Sequence, residues 1–372
     1  MGILRLLLAF SVFYAHAGFR SPAQIVPPDT AVHAFYLISG FYMAMVLHTR
    51  YGRDAYAEFL SNRALRLLPA YLLVAFATLA LGFVLSAAIG RSLPVLEALR
   101  GAHDAGLPAS AWPAFLLSQL TLLGLDLYQF FSWSSAAGFS PEADFRHDPA
   151  PLHRLLLVPQ AWSVSIEIYF YLLAPWLTRL RLGGIAALIA GSLLLRYGMW
   201  ALTDLRTDPW SYRFFPFELA YFLGGALAYR IAHWGWRSRL AALALPALAL
   251  GFTDWWAQAH AGTPPISLAR VAFIAVLLMG LSAIFDWSKD FRFDRYVGEL
   301  SYPLYISHIL VLDIVQLLAP TLNASRPGQL LIVVAALGVA VAIYEWIDRP
   351  IDRFRHSRPG MPLSPGKTGN AA

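Results

Sequence analysis

The sequence predicts an all-α protein, a polytopic membrane helix bundle of about ten transmembrane helices plus one re-entrant or interfacial helix. Three observations carry that expectation. Of 372 residues, 58% are apolar and only 13% are charged. Uncharged stretches reach spanning length, as in LLPAYLLVAFATLALGFVLSAAIG at 67–90. They are also rich in Leu and Ala and lack the period-2 alternation of a membrane barrel. Backbone groups in lipid must be satisfied within the segment, so such runs read as helices.

In chain order the apolar runs fall near 3–19, 32–49, 67–88, 161–178, 183–201, 214–231, 240–257, 267–285, 301–319 and 328–346. A further stretch, 113–131, carries Gln119, Asp126 and Gln129 and follows Trp112-Pro113. It reads as re-entrant or interfacial, since irregular backbone at membrane depth needs protein or a wet cavity around it. The polar segment after it, through residue 160, reads as a loop rich in Pro, Ser and Asp. Residues 1–350 form the membrane domain, and 351–372, basic and rich in Pro and Gly towards its end, reads as a cytoplasmic, disordered tail.

Net charge is +6, and in a membrane protein the informative question is which side carries it. With the N-terminus inside, and with 113–131 not crossing, 18 Lys and Arg fall on the inner side against 8 on the outer, leaving Arg196 and Arg270 within spans. The positive-inside rule then places both termini in the cytoplasm.

Without cysteine there is no disulfide, no thiolate metal site and no cysteine-borne acyl intermediate. No Gly-rich phosphate loop, GxSxG elbow or HExxH helix occurs either. Neither a metal nor a nucleic-acid partner is expected.

The first span, RLLLAFSVFYAH, puts Arg5 and His16 on one helical face. Eleven residues at about 100° return to within roughly 20°, and at about 1.5 Å each His16 lies roughly 16 Å deeper, near mid-bilayer. Ionisable groups at such depth normally serve a path or a reaction. The same residues also fit a cleavable leader ending at Ala15-His16-Ala17, although a single Arg makes a poor n-region. In NRALRLLPAY, Arg63 and Arg66 share a face and suit forked contacts to phosphate, or serve only as topogenic charge. WSVSIEIYFY aligns Ser163, Glu167 and Tyr171 for proton handling, for orienting a histidine or for a structural salt bridge. SYPLYISH brings Tyr305 and His308 to one face, with His308 either functional or a satisfied core residue. His308 and Asp313 are five apart, about 140° around a helix, too far to act together. His33, His48, His147, His153 and His233 read as solvated or interfacial.

Taken together these segments resemble the acyltransferase-3 family of bacterial integral membrane acyltransferases. The matches are Arg5/His16, FYLISGFYMAMVL at 35–47, NRALRLLPAY at 62–71, WSVSIEIYFYLLAPWL at 162–177 and SYPLYISHIL at 301–310. Where the family has an acidic pair in the fourth match, this chain has Glu167-Ile168, so only the first carboxylate carries over.

The resemblance implies an acyl-coenzyme A donor, acetyl-CoA being the family's usual short cargo, engaged from the cytoplasm by Arg5, Arg63 and Arg66. His16 would be catalytic, with Glu167 and His308 completing the site. The acceptor would be a hydroxyl of a surface or exported glycan or a lipid-linked saccharide, met beside membrane lipid. The alternative is a transporter or flippase whose buried Arg, His and Glu line a permeation path.

Overall fold

In the computed structural model, residues 1–19, 26–145, 151–260 and 268–357 are described; His147 and the end of the C-terminal segment lie outside them. The elements in order are α1 (Gly2–His16), α2 (Pro28–Thr49), α3 (Tyr56–Ile89), α4 (Pro94–Asp104), α5 (Ala111–Thr121), β1 (Phe131–Ser134), β2 (Gly138–Pro141), α6 (Trp162–Leu177), α7 (Leu182–Leu202), α8 (Phe215–Arg230), α9 (Trp236–His260), α10 (Leu268–Ser288), α11 (Arg292–Glu299), α12 (Ser301–Leu318), α13 (Arg326–Ile343) and α14 (Arg349–Ser357).

Every one of the ten apolar runs is a helix, but length divides them. Six helical segments among the described residues are long and apolar enough to cross a membrane: α2, α3, α7, α10, α11 with α12, and α13 with α14. The 15 residues of α1 and the 16 each of α6 and α8 rise about 22–24 Å, short of a hydrocarbon core of about 30 Å. In α9 the apolar run is diluted by Arg237, Arg239 and Asp254. An all-α bundle therefore stands, with six candidate spans among the described residues; the expected count of about ten is not confirmed.

The 113–131 stretch does not form a crossing helix. Its helical part, α5, has 11 residues, about 16 Å, and ends where Leu122 and Gly124 adopt φ of 64° and 80°. Beyond it the segment expected as plain loop contains a hairpin, Ser132 facing Ser140 and Trp133 facing Phe139. This is a small departure from all-α. Its Phe131–Ser134 strand alternates aromatic and serine residues with the period that sequence reading had sought only in long segments.

Backbone-to-backbone contact sets the packing of α2 on α8. A Cβ on Gly40 would stand 1.9 Å from the Phe222 carbonyl oxygen, and one on Gly225 would stand 1.9 Å from that of Leu37. Only glycine permits that approach, and in membranes close van der Waals fit of this kind substitutes for a hydrophobic driving force between helices. At the other side of α2, α1 lies against α11 and α12. Asp294 accepts the backbone N–H groups of Gly2 and Ile3 at 2.7 and 2.9 Å, so a carboxylate meets the otherwise unpaired N-terminal amides of α1.

At the C-terminal end, α13 passes through a π-helical turn, Tyr344–Asp348, into α14. The first part of the expected tail is thus helix, packed against α3.

Candidate active site

α1 carries its two ionisable residues at opposite ends. His16 is its last residue, not a mid-helix one, and is exposed, while Arg5 is half-buried. The expectation of a buried imidazole is corrected in that respect. The helix stops there because Gly18 turns the chain at φ 64° and Asn323 donates to the Ala17 carbonyl at 2.8 Å.

His16 meets His308. The Nδ1 of His16 lies 3.1 Å from the Nε2 of His308, with the rings 5.1 Å apart and nearly parallel. His308 is fully buried, and its Nδ1 lies 2.7 Å from the Tyr305 carbonyl. A carbonyl only accepts, so His308 Nδ1 carries the hydrogen, and in a neutral ring its Nε2 is then an acceptor. His16 Nδ1 must donate to it. That leaves the Nε2 of His16 with a free lone pair, the form required of a base or nucleophile.

The Tyr305 carbonyl is itself held by Gln160, whose Nε2 donates to it at 3.1 Å and to the Ile306 carbonyl at 2.7 Å. The Tyr305 hydroxyl shares a hydrogen bond of 2.7 Å with Ser163. His308 thus holds the His16 ring by one edge, and Gln160 and Ser163 bond to the helix that bears His308.

Glu167 is not part of this pair. Its carboxylate accepts from Ser39 and from Tyr171, each at 2.5 Å, tying α2 to α6 through the serine of FYLISGFY. Among the described residues neither His16 nor His308 bonds to it.

At the Arg5 end, Arg66 forms ion pairs with Glu299 and, at 3.2 Å, with Asp352 of α14. Its fork is occupied by carboxylates. Arg63 lies over the Phe59 ring at 5.9 Å, and its buried Nε has no hydrogen-bond partner among the described residues. The charge of Arg5 reaches Glu299, so the three arginines expected to act together do share one end of the bundle.

A second buried polar cluster was not foreseen. His33 is fully buried, not interfacial: its Nδ1 lies 2.5 Å from Asp254 and its Nε2 faces Glu218 at 3.0 Å. Thr30 donates to Asp254 at 2.9 Å, Arg196 pairs with Glu218 at 2.5 Å, and the Tyr221 ring stacks on His33 at 4.1 Å. Two carboxylates and an arginine inside apolar runs were the signal, because buried charges must find one another.

A cavity of about 300 Å³ opens between α3, α4, α12 and the 153–160 segment, lined by Thr78, Gln160, Ile309 and Asp313 among others. Asp313 is there, on a face of α12 turned about 140° from His308, consistent with the two not acting together.

A family model described as an acyltransferase domain matches residues 1–345. An uncharacterised protein of Aquifex aeolicus (strain VF5) is 25% identical over 203 residues, covering 54% of this chain and 90% of its own length. No solved structure matches. The motif segments expected to converge belong to one bundle, the match extends over nearly the whole chain, and the chain belongs to the acyltransferase-3 family of membrane acyltransferases.

Proposed function

We propose that the protein is an O-acyltransferase that takes a short acyl group, acetyl in the simplest case, from cytoplasmic acyl-CoA to a hydroxyl of an extracytoplasmic or lipid-linked saccharide. The observation that carries the proposal is the polarity of α1: an arginine cluster at one end and an unprotonated imidazole nitrogen at the other. They are separated by about 16 Å of helix, a span suited to a phosphate-bearing donor with a long pantetheine arm.

The chemistry balances within that frame. His16 Nε2 removes the proton of the acceptor hydroxyl as its oxygen bonds to the thioester carbonyl carbon. The carbon–sulfur bond then breaks, and the thiolate takes the proton back from His16. His308 keeps Nδ1 of His16 donating throughout, so the same ring nitrogen both accepts and returns the proton. The reading is tested with purified protein in proteoliposomes, labelled acetyl-CoA inside and saccharide acceptors outside. Label appearing in an ester of the acceptor supports it. Saccharide or ion flux without ester formation would instead favour a permeation path.

The same reading requires that the Arg5 end face the cytoplasm. In this cysteine-free chain, single cysteines replacing Ala136, at the tip of the β1–β2 hairpin, and Ser357, at the end of α14, label from opposite sides of sealed vesicles. Both residues are exposed. Labelling from one side would overturn the orientation.

A further inference from the structure

The Arg5 end holds more unpaired polar atoms than its ion pairs use. Arg355 of α14 is 7% exposed. Its NH1 group donates to Asp352, yet its Nε is buried without a hydrogen-bond partner among the described residues, as is that of Arg63. Arg66 and Arg355 share Asp352 as an ion-pair partner, and Arg63 lies close enough for its charge to act on Arg355. Beside them are two buried acceptor atoms also without partners among the described residues, Asn62 Oδ1 and Asp348 Oδ2, although Asn62 Nδ2 donates to the Tyr51 hydroxyl at 3.0 Å. Buried polar atoms left unpaired are rare in folded proteins, and several together call for an absent partner.

The orphans are of two kinds. Guanidinium Nε–H donors suit phosphate oxygens, and Arg63 has no ion pair among the described residues to compete for it. Carboxamide and carboxylate acceptors suit an amine or hydroxyl. Carboxylates already surround Arg66, which is better placed as the strut joining α3, α11 and α14. A ligand offering both phosphates and N–H or O–H donors is a phosphorylated nucleoside, whereas a bare lipid phosphate would leave Asn62 unanswered.

We propose that α14 is one wall of the donor site, and that Arg355 together with Arg63 binds the phosphates of a nucleotide-bearing thioester donor, the class to which coenzyme A belongs. Asp352 is then a counterion whose hold on Arg355 is exchanged for phosphate on binding. The inference rests on the donor reading above and adds a residue from outside the expected arginine set.

The test is calorimetric titration of the purified full chain with three probes: coenzyme A, dephospho-coenzyme A lacking the 3′-phosphate, and pantetheine lacking the nucleotide. The parent should bind coenzyme A more than tenfold tighter than pantetheine. Arg355→Ala and Arg63→Ala should each lower affinity for coenzyme A by about tenfold and leave that for pantetheine unchanged, the scale of one lost charge-assisted contact. Arg355→Lys keeps the charge and the packing stem but not the fork, so it should recover part of the loss and serves should the Ala variant fold poorly. Exposed Arg237→Ala is the control for unspecific charge effects. A stable Arg355→Ala or Arg355→Lys protein with parental affinity for coenzyme A, while Arg63→Ala loses it, would overturn the role of α14 and leave the donor reading intact. A parent that binds pantetheine as tightly as coenzyme A would overturn the nucleotide site, and one that binds neither would overturn the donor reading with it.

Discussion

A His16→Ala variant is expected to lose acyl transfer by about 10²–10⁴-fold, the usual range for general-base assistance, while keeping its fold and its affinity for the donor. His16 is exposed at the end of α1, and its ring bonds to His308 and to the backbone of its own helix at Val12, so little packing goes with the ring. Donor phosphates would be held some 16 Å away along the helix, out of reach of the change. Variants of His308 separate orientation from proton transfer. His308→Gln retains an oxygen able to accept from His16 Nδ1, and should keep a sizeable part of the rate. His308→Leu offers no acceptor, frees the His16 ring to rotate or to take the other tautomer, and should fall further. The assay is initial-rate acyl transfer at saturating donor, beside thermal stability and donor affinity for each variant. Parental turnover by a folded His16→Ala protein would dismiss the mechanism, and equal rates in the Gln and Leu variants would reduce His308 to packing.

Much of this site was legible because its spacing is helical. Arg5 and His16 share a face by arithmetic alone, and the ten apolar runs each became a helix. What the linear chain withheld is whatever depends on a second element. The run 3–19 stays apolar through Phe19, yet α1 stops at His16, because the stop is made by Gly18 and by Asn323 from some 300 residues away. The partner of His16 could have been Glu167 or His308 on motif grounds. Only packing of α1 on α12 chooses His308, and only the serine of α2 claims Glu167. His33 looked interfacial because it stands near the start of its run, but α2 begins at Pro28 and is enclosed by α8 and α9, so the same position is interior. Arg355 was hidden in a stretch whose Pro and Gly lie mostly after residue 358. The helix that bears it continues from α13 through the π turn Tyr344–Asp348, which no local rule announces.

The cluster around His33 should be the costliest polar feature to damage. Glu218→Ala is expected to destabilise the protein by about 3–5 kcal/mol, the usual consequence of leaving a buried charge uncompensated. Arg196 and Glu218 are both fully buried, and Glu218 is the one ion-pair partner of Arg196 among the described residues, where the Arg196 Nε and NH1 have no hydrogen-bond partner. The rings of Trp200, Phe217 and Tyr221 at 5.3–5.9 Å offer the guanidinium some compensation, though far less than a carboxylate. The deletion also removes one of two carboxylates facing His33, so α2, α7 and α8 lose a shared anchor. Hydrogen bonds between membrane helices are often worth little, since an unfolded chain in lipid finds substitutes. The expectation here is larger because one partner is removed and the other charge stays behind. Replacing both, as in Arg196→Leu with Glu218→Leu, should therefore recover much of the loss, which a simple sum of two deletions would not. Thermal unfolding in detergent, followed by size-exclusion fluorescence, measures all three variants. A Glu218→Ala protein within about 1 kcal/mol of the parent would mean that water or a rearranged Asp254 reaches Arg196, and that the cluster is not the anchor its burial implies.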